Sequence, residues 1–164
     1  MRLPYALLLF SSVAVAAQPS FEVRSSNGKV RIQRLPDAVV EDRVAGCTCG
    51  FSVAKTNSSS TSDIVVGWTL GQTTAYMQIN DRLEQFQVFD MPSGPAGNQP
   101  REPVLGDAAD WLLRGQAGQV VLHTRTSHVC GKLPGCEVVG FDGTAQVTTG
   151  QGQLSFGVTG WCGC

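Results

Sequence analysis

The chain has 164 residues, 42% of them hydrophobic and 15% charged, with a formal net charge of −1. That length suits one ordinary domain, and the apolar share excludes disorder throughout. The low charge excludes a coiled coil, and the near-zero balance lacks the basic excess of a nucleic-acid binder.

Residues 1–17 read as a signal peptide. Arg2 precedes an apolar run from Leu7 to Ala17, and Ala14-Val15-Ala16 forms a small-residue cleavage pattern. The run is too short to span ~30 Å of hydrocarbon. The expectation is a periplasmic or secreted product, with no membrane insertion once the leader is removed. Residues 18–164 then form a single β domain.

Strand signals dominate the rest. Phe21–Arg24 and Lys29–Gln33 flank Ser25-Ser26-Asn27-Gly28, where Asn-Gly predicts a type I′ hairpin turn. Cys49–Lys55 is a third strand. Ile64, Val66, Trp68 and Leu70 alternate with Val65, Gly67 and Thr69, and Ala75, Met77 and Ile79 alternate with Tyr76, Gln78 and Asn80. Asn80-Asp81-Arg82 reads as a turn before a strand over Leu83–Phe89. Gly106–Leu113 is the one helix candidate, with Asp107 as its cap and Gly115 as its stop. Further strands are Val120–Val129, Glu137–Phe141, Thr144–Thr148 and Leu154–Val158. Many short strands between turn residues predict a single antiparallel β-barrel or β-sandwich with at most one short helix.

Two segments are poor in core residues. Asn57–Ser62 is polar, and Met91–Gly106 holds Pro92, Pro95, Pro100 and Pro103. A connection this long is either functional or mobile.

The cysteines carry the most information. Cys47-Thr48-Cys49 lies near the start of the mature domain, Cys162-Gly163-Cys164 closes the sequence, and Cys130 and Cys136 lie between. Residues i and i+2 of a strand face one side, so each C-x-C pair sets two sulfurs about 7 Å apart. If the first and last C-x-C strands are antiparallel neighbours, Cys47 faces Cys164 and Cys49 faces Cys162. Both pairs then share one ladder type, and the non-hydrogen-bonded type brings Cα atoms within disulfide range. In an oxidising compartment this predicts disulfides Cys47–Cys164, Cys49–Cys162 and Cys130–Cys136. The competing reading is a copper or zinc site, or a redox site, built from Cys47, Cys49, Cys162 and Cys164. His128 and Cys130 share a face, whereas His123 lies on the opposite face of a regular strand. The two histidines therefore form no paired ligand set.

Catalytic motifs are absent. Ser52-Val53-Ala54-Lys55 matches S-x-x-K. That motif requires a helix start, whereas these residues lie in a strand, where positions i and i+3 face apart. Trp68 belongs to an apolar face and reads as core. Trp161 is expected to cover the disulfides, and Trp111 to plug one end of the barrel. A Cys130–Cys136 bridge would make Gly131–Gly135 a rigid loop, with Lys132 and Leu133 as candidate contact residues. A stapled hairpin turn is the alternative.

In architecture alone, this plan resembles the small exported β-barrel proteins of bacteria, periplasmic lysozyme inhibitors among them. That likeness transfers no site residue. The functional expectation is an exported, non-catalytic protein that binds an unknown protein partner, as an inhibitor or protective protein, without a cofactor. The alternatives are thiol-based copper or zinc binding, or redox work, by the C-x-C pairs, and an envelope structural role.

Overall fold

The computed structural model describes residues 22–54, 63–91, 103–130 and 137–164. The leader at 1–17, the polar segment at 57–62, Lys132, Leu133 and Cys136 lie outside these residues.

Among the described residues, ten strands and one helix follow in order. They are β1 (Glu22–Arg24), β2 (Arg31–Gln33), α1 (Asp37–Arg43), β3 (Thr48–Val53), β4 (Ile64–Thr69) and β5 (Thr74–Ile79). Then come β6 (Arg82–Met91), β7 (Ala108–Gly115), β8 (Gly118–Val129), β9 (Val138–Thr149) and β10 (Gly152–Gly163).

Each strand from β3 to β10 pairs antiparallel with the next, and β10 returns to pair with β3. The result is a closed up-and-down barrel of eight strands. Closure removes the exposed sheet edge that an open meander would present. The β1–β2 hairpin is appended outside this cycle, where Ile32 and Gln33 pair with Ile79 and Gln78 beyond the end of the β4–β5 ladder.

Alternation decides the faces. In β8 to β10, Val120, Leu122, Ala145, Val147, Leu154, Phe156 and Val158 point into the apolar lumen. Their neighbours His123, Arg125, Asp142, Gln146, Gln153 and Ser155 point out and are exposed. A membrane barrel carries its apolar band on the outside, so this pattern is the reverse of that one. Among the described residues, no helix is long and apolar enough to cross a membrane.

Phe51 occupies the middle of the lumen, fully buried, with ring neighbours Trp68 at 5.7 Å, Trp111 at 5.4 Å and Phe141 at 6.2 Å. Gly160 of β10 makes room for it, because a Cβ there would fall on the Phe51 ring and 2.7 Å from the Gly50 carbonyl oxygen.

The structure corrects the helix assignment twice. Gly106–Leu113 forms no helix; Ala108–Gly115 is strand β7. Ala109, Trp111 and Leu113 face the core with a period of two, a rhythm that the expected Asp107 cap and Gly115 stop concealed. Asp107 instead closes a turn, donating from its N–H to Val104 O at 3.0 Å and accepting from Val104 N–H on its carboxylate at 3.1 Å. Gly115 is required because Gln85 O of β6 passes where its Cβ would stand.

The true helix is Asp37–Arg43, one short element that escaped the sequence reading. It buries no residue of its own fully. Val39 and Val40 pack on a second small cluster of Leu35, Val44, Ile64 and Tyr76 on the outer barrel wall. With so narrow an apolar stripe, its helical period is faint.

Two turns complete the picture. Asn80 and Asp81 have φ of 50° and 65°, which matches a two-residue type I′ hairpin between β5 and β6. The Asn27-Gly28 turn is different. Only Gly28 has positive φ (69°), and the turn closes through Gly28 N–H donating to Ser25 O at 2.8 Å. The type I′ expectation is therefore not met there.

Candidate functional site at the disulfide end of the barrel

In an up-and-down barrel, every second connection emerges at the same end. The start of β3 and the end of β10 lie at one end, and so do the 70–73 turn, Met91 and Ala108 at the ends of β6 and β7, and Val129 and Val138 at the ends of β8 and β9.

The closing seam carries the sulfur chemistry. Ala54 N–H donates to Gly157 O at 2.9 Å, which fixes the β3–β10 hydrogen-bond phase. Two-residue alternation from that rung makes Cys49↔Cys162 and Cys47↔Cys164 non-hydrogen-bonded pairs. Both are disulfides, with Cα atoms 4.0 and 4.1 Å apart. The two predicted staples are thus present. The four sulfurs are bonded to one another, so the alternative tetrathiolate metal site has no thiolates to draw on. Cys130 is also disulfide-bonded, and its Sγ accepts from Val138 N–H at 3.1 Å. Cys136 lies outside the described residues.

Cys49 is 2% exposed and faces the lumen, whereas Cys47 and Cys164 sit exposed at the rim. Trp161 does not cover the disulfides as expected. It alternates to the outer wall, against Gly50. Trp111 does sit at this end, but it reaches the lumen from a strand.

Above Phe51 the lumen opens into a cup of about 470 Å³. Its aromatic walls are Trp68, Trp111 and Phe141. The Trp68 and Trp111 rings stand 5.9 Å apart at 63°, and Trp111 meets Phe141 edge-on at 5.1 Å and 90°. The Cys49–Cys162 disulfide, Val88 and Val139 complete the apolar lining, and Leu70, Gln72, Thr73 and Pro103 form the rim. Among the described residues, no charged side chain lines the cup. The rim continues the apolar character outward, since Leu70, Val104 and Leu105 are 41%, 53% and 60% exposed. Sequence reasoning treated Trp68 as plain core. Only closure of the barrel brings it beside Trp111 and the seam.

The opposite mouth differs. A hollow of about 610 Å³ is lined by Lys29, Arg31, Arg82, Glu84, Asn80 and Gln151 among others. Arg31 is already paired with Asp81 and Glu22, and Asn80 is engaged in anchoring the β1–β2 hairpin. That mouth is polar and held together by its own contacts.

The histidines fall on one face after all. A register shift between Thr126 and His128 adds a residue to β8 and turns His128 outward, opposite Gly140. His123 also faces out, with Nδ1 3.4 Å from an Asp110 carboxylate oxygen. Among the described residues, no group of three or more His, Cys, Asp or Glu side chains is placed to hold a metal.

No protein-family model, no curated protein and no solved structure matches this chain.

Proposed function

We propose that this is an exported, non-catalytic binding protein that engages a protein partner through the disulfide end of its barrel. The observation that carries the proposal is the concentration of exposed aliphatic side chains around one apolar cup. Leu70 lines this mouth, the exposed Val104 and Leu105 follow directly on the lining residue Pro103, and among the described residues no charged side chain lines it. Clustered exposed apolar surface marks an interaction site far more often than scattered single residues do. Among the described residues, the lining also offers no acid, base or thiolate, since its cysteines are paired.

Export is supported by the disulfides, which persist in oxidising compartments, together with the leader pattern at residues 1–17. The natural product should lack those residues and show no free thiol when denatured without reductant. An uncleaved, reduced chain from the cytosol overturns the export reading.

The binding reading is tested by crosslinking the protein in its native envelope. Leu105→Asp should abolish the crosslinked partner, while Leu83→Asp, at the opposite end and 43% exposed, should retain it. Lys132→Ala and Leu133→Ala ask whether the Cys130 segment contributes. Equal crosslinking by Leu105→Asp and the parent protein removes this end of the barrel from the function.

A further inference from the structure

The cup has a chemistry of its own, independent of whether a protein docks on its rim. Its volume of about 470 Å³ lies in the range of small-molecule pockets. Three aromatic side chains from three strands wall it at mutual angles of 63° and 90°, leaving ring faces and edges directed at the same space. A disulfide, polarisable and uncharged, lies beside them. Sulfur and ring edges both favour contact with an aromatic guest. Among the described lining residues, the polar side chains are Gln72 and Thr73, both at the rim.

We propose that the barrel mouth is a binding site for a small, free, uncharged aromatic molecule of one or two fused rings. The ring inserts between Trp68, Trp111 and Phe141, and a single hydrogen-bonding substituent is left at the Gln72–Thr73 rim. A charged ring is disfavoured, because entering the cup strips its water and it meets no counter-charge among the described lining residues.

The seam disulfide makes the site dependent on oxidation. Cys49 and Cys162 belong to the lining and hold β3 against β10 there.

The test uses 1-naphthol, an uncharged two-ring probe with a single hydroxyl and the same ring system as its charged comparison. The expected result is saturable one-to-one binding with a micromolar or tighter Kd, read by isothermal titration calorimetry. Leu70→Lys, which sets a charge on an exposed rim position, should weaken binding at least tenfold, while Leu83→Lys at the other end leaves it unchanged. 1-Naphthoate, the charged comparison, should bind at least tenfold more weakly than the uncharged probe. Non-saturable binding, equal binding by Leu70→Lys, or equal binding of naphthoate each overturns the proposal. A parent protein that crosslinks no partner but binds the probe would remove the protein-partner reading alone, and one that crosslinks a partner but binds no probe would remove this one alone.

Discussion

Cys49 and Cys162 face each other across a non-hydrogen-bonded rung of the seam that closes the barrel, with Cα atoms 4.0 Å apart and their disulfide against the lumen. One rung outward, Cys47 and Cys164 repeat the relationship at the rim, in solvent. The two bridges span 113 and 117 residues of the chain, nearly the same loop. Their effects on the unfolded chain therefore overlap.

That overlap gives the first prediction. In the chain-entropy description, closing a loop of this size stabilises the fold by about 4–5 kcal/mol, and a second, near-identical closure adds little. Replacing Cys47 and Cys164 together by Ala should cost about 1 kcal/mol or less, because the inner bridge still closes the loop. Replacing Cys49 and Cys162 should cost about 1–2 kcal/mol more than that, since Cys49 is buried and leaves a cavity. Removing both pairs should cost the full entropic amount. Denaturant unfolding of the three variants checks the order. Strict additivity of the two pair deletions would contradict it.

Gly160 sets the second. A methyl group there meets the Phe51 ring and the Gly50 carbonyl, and Phe51 has no exposed surface into which it can move. Gly160→Ala should destabilise the barrel by roughly 2–3 kcal/mol through overpacking. Gly150, in the β9–β10 turn with nothing within 4 Å of its added Cβ, should accept Ala with little effect. Urea midpoints of the two variants make the comparison.

Phe51 itself supplies the third. It touches Trp68, Trp111 and Phe141 within the lumen. Phe51→Ala should cost about 3–5 kcal/mol, the usual range for deleting a buried aromatic ring. It should also raise the mobility of the tryptophans above it, seen as a loss of near-ultraviolet circular dichroism. An unchanged near-ultraviolet spectrum would mean that the cluster does not order the mouth.

The fourth concerns pH. Gln33 and Asp81 bond reciprocally. Gln33 Nε2 donates to the Asp81 carboxylate at 2.7 Å, and Asp81 N–H donates to Gln33 Oε1 at 2.7 Å. The Gln33 side chain first, and the Arg31 guanidinium next, hold the Asp81 carboxyl below its ordinary value. A depressed carboxyl contributes stability above its unfolded pKa of about 3.9 and loses it as pH falls through the lower folded value. Asp81→Asn keeps the acceptor oxygen and tolerates the positive φ of 65°. The gap in Tm between the parent protein and this variant should therefore close as pH falls from neutral to below about 3. A gap that stays constant with pH would sever Asp81 from the acid limb of stability.

A fifth follows from Asn80 beside it. Its side chain accepts from Arg31 N–H at 2.8 Å and donates to Lys29 O at 3.1 Å and Gln151 Oε1 at 2.8 Å. One side chain thus ties the β1–β2 hairpin to two barrel turns. Asn80→Gly keeps the left-handed backbone conformation and deletes those bonds, so hydrogen exchange should quicken at Arg31 and Ile32 while the β8–β10 amides remain protected. Uniform acceleration across the barrel would show that the hairpin and the barrel unfold as one unit.

Much of this protein is local information. Two-residue alternation names the lumen face of a strand without knowledge of its neighbours, because a pleat exposes successive side chains to opposite sides. That is why Trp68, Met77, Leu122 and Phe156 were legible as core. The i, i+2 spacing of each C-x-C placed its two sulfurs on one face, and the assumption that the first and last strands are neighbours supplied the pairing. Where a local signal had two meanings, packing arbitrated. Asp107 and Gly115 bracket Ala109, Trp111 and Leu113 equally well as helix ends or as turn residues of a strand, and the neighbouring strands β6 and β8 decided for the strand. The faint stripe of Val39 and Val40 became a helix only because Ile64 and Tyr76 offered a surface for it. The cup, finally, has no signature in any one segment. Trp68, Trp111, Phe141 and the seam disulfide come from β4, β7, β9 and the β3–β10 pair. They meet because ring closure converts distance along the chain into adjacency around a circumference.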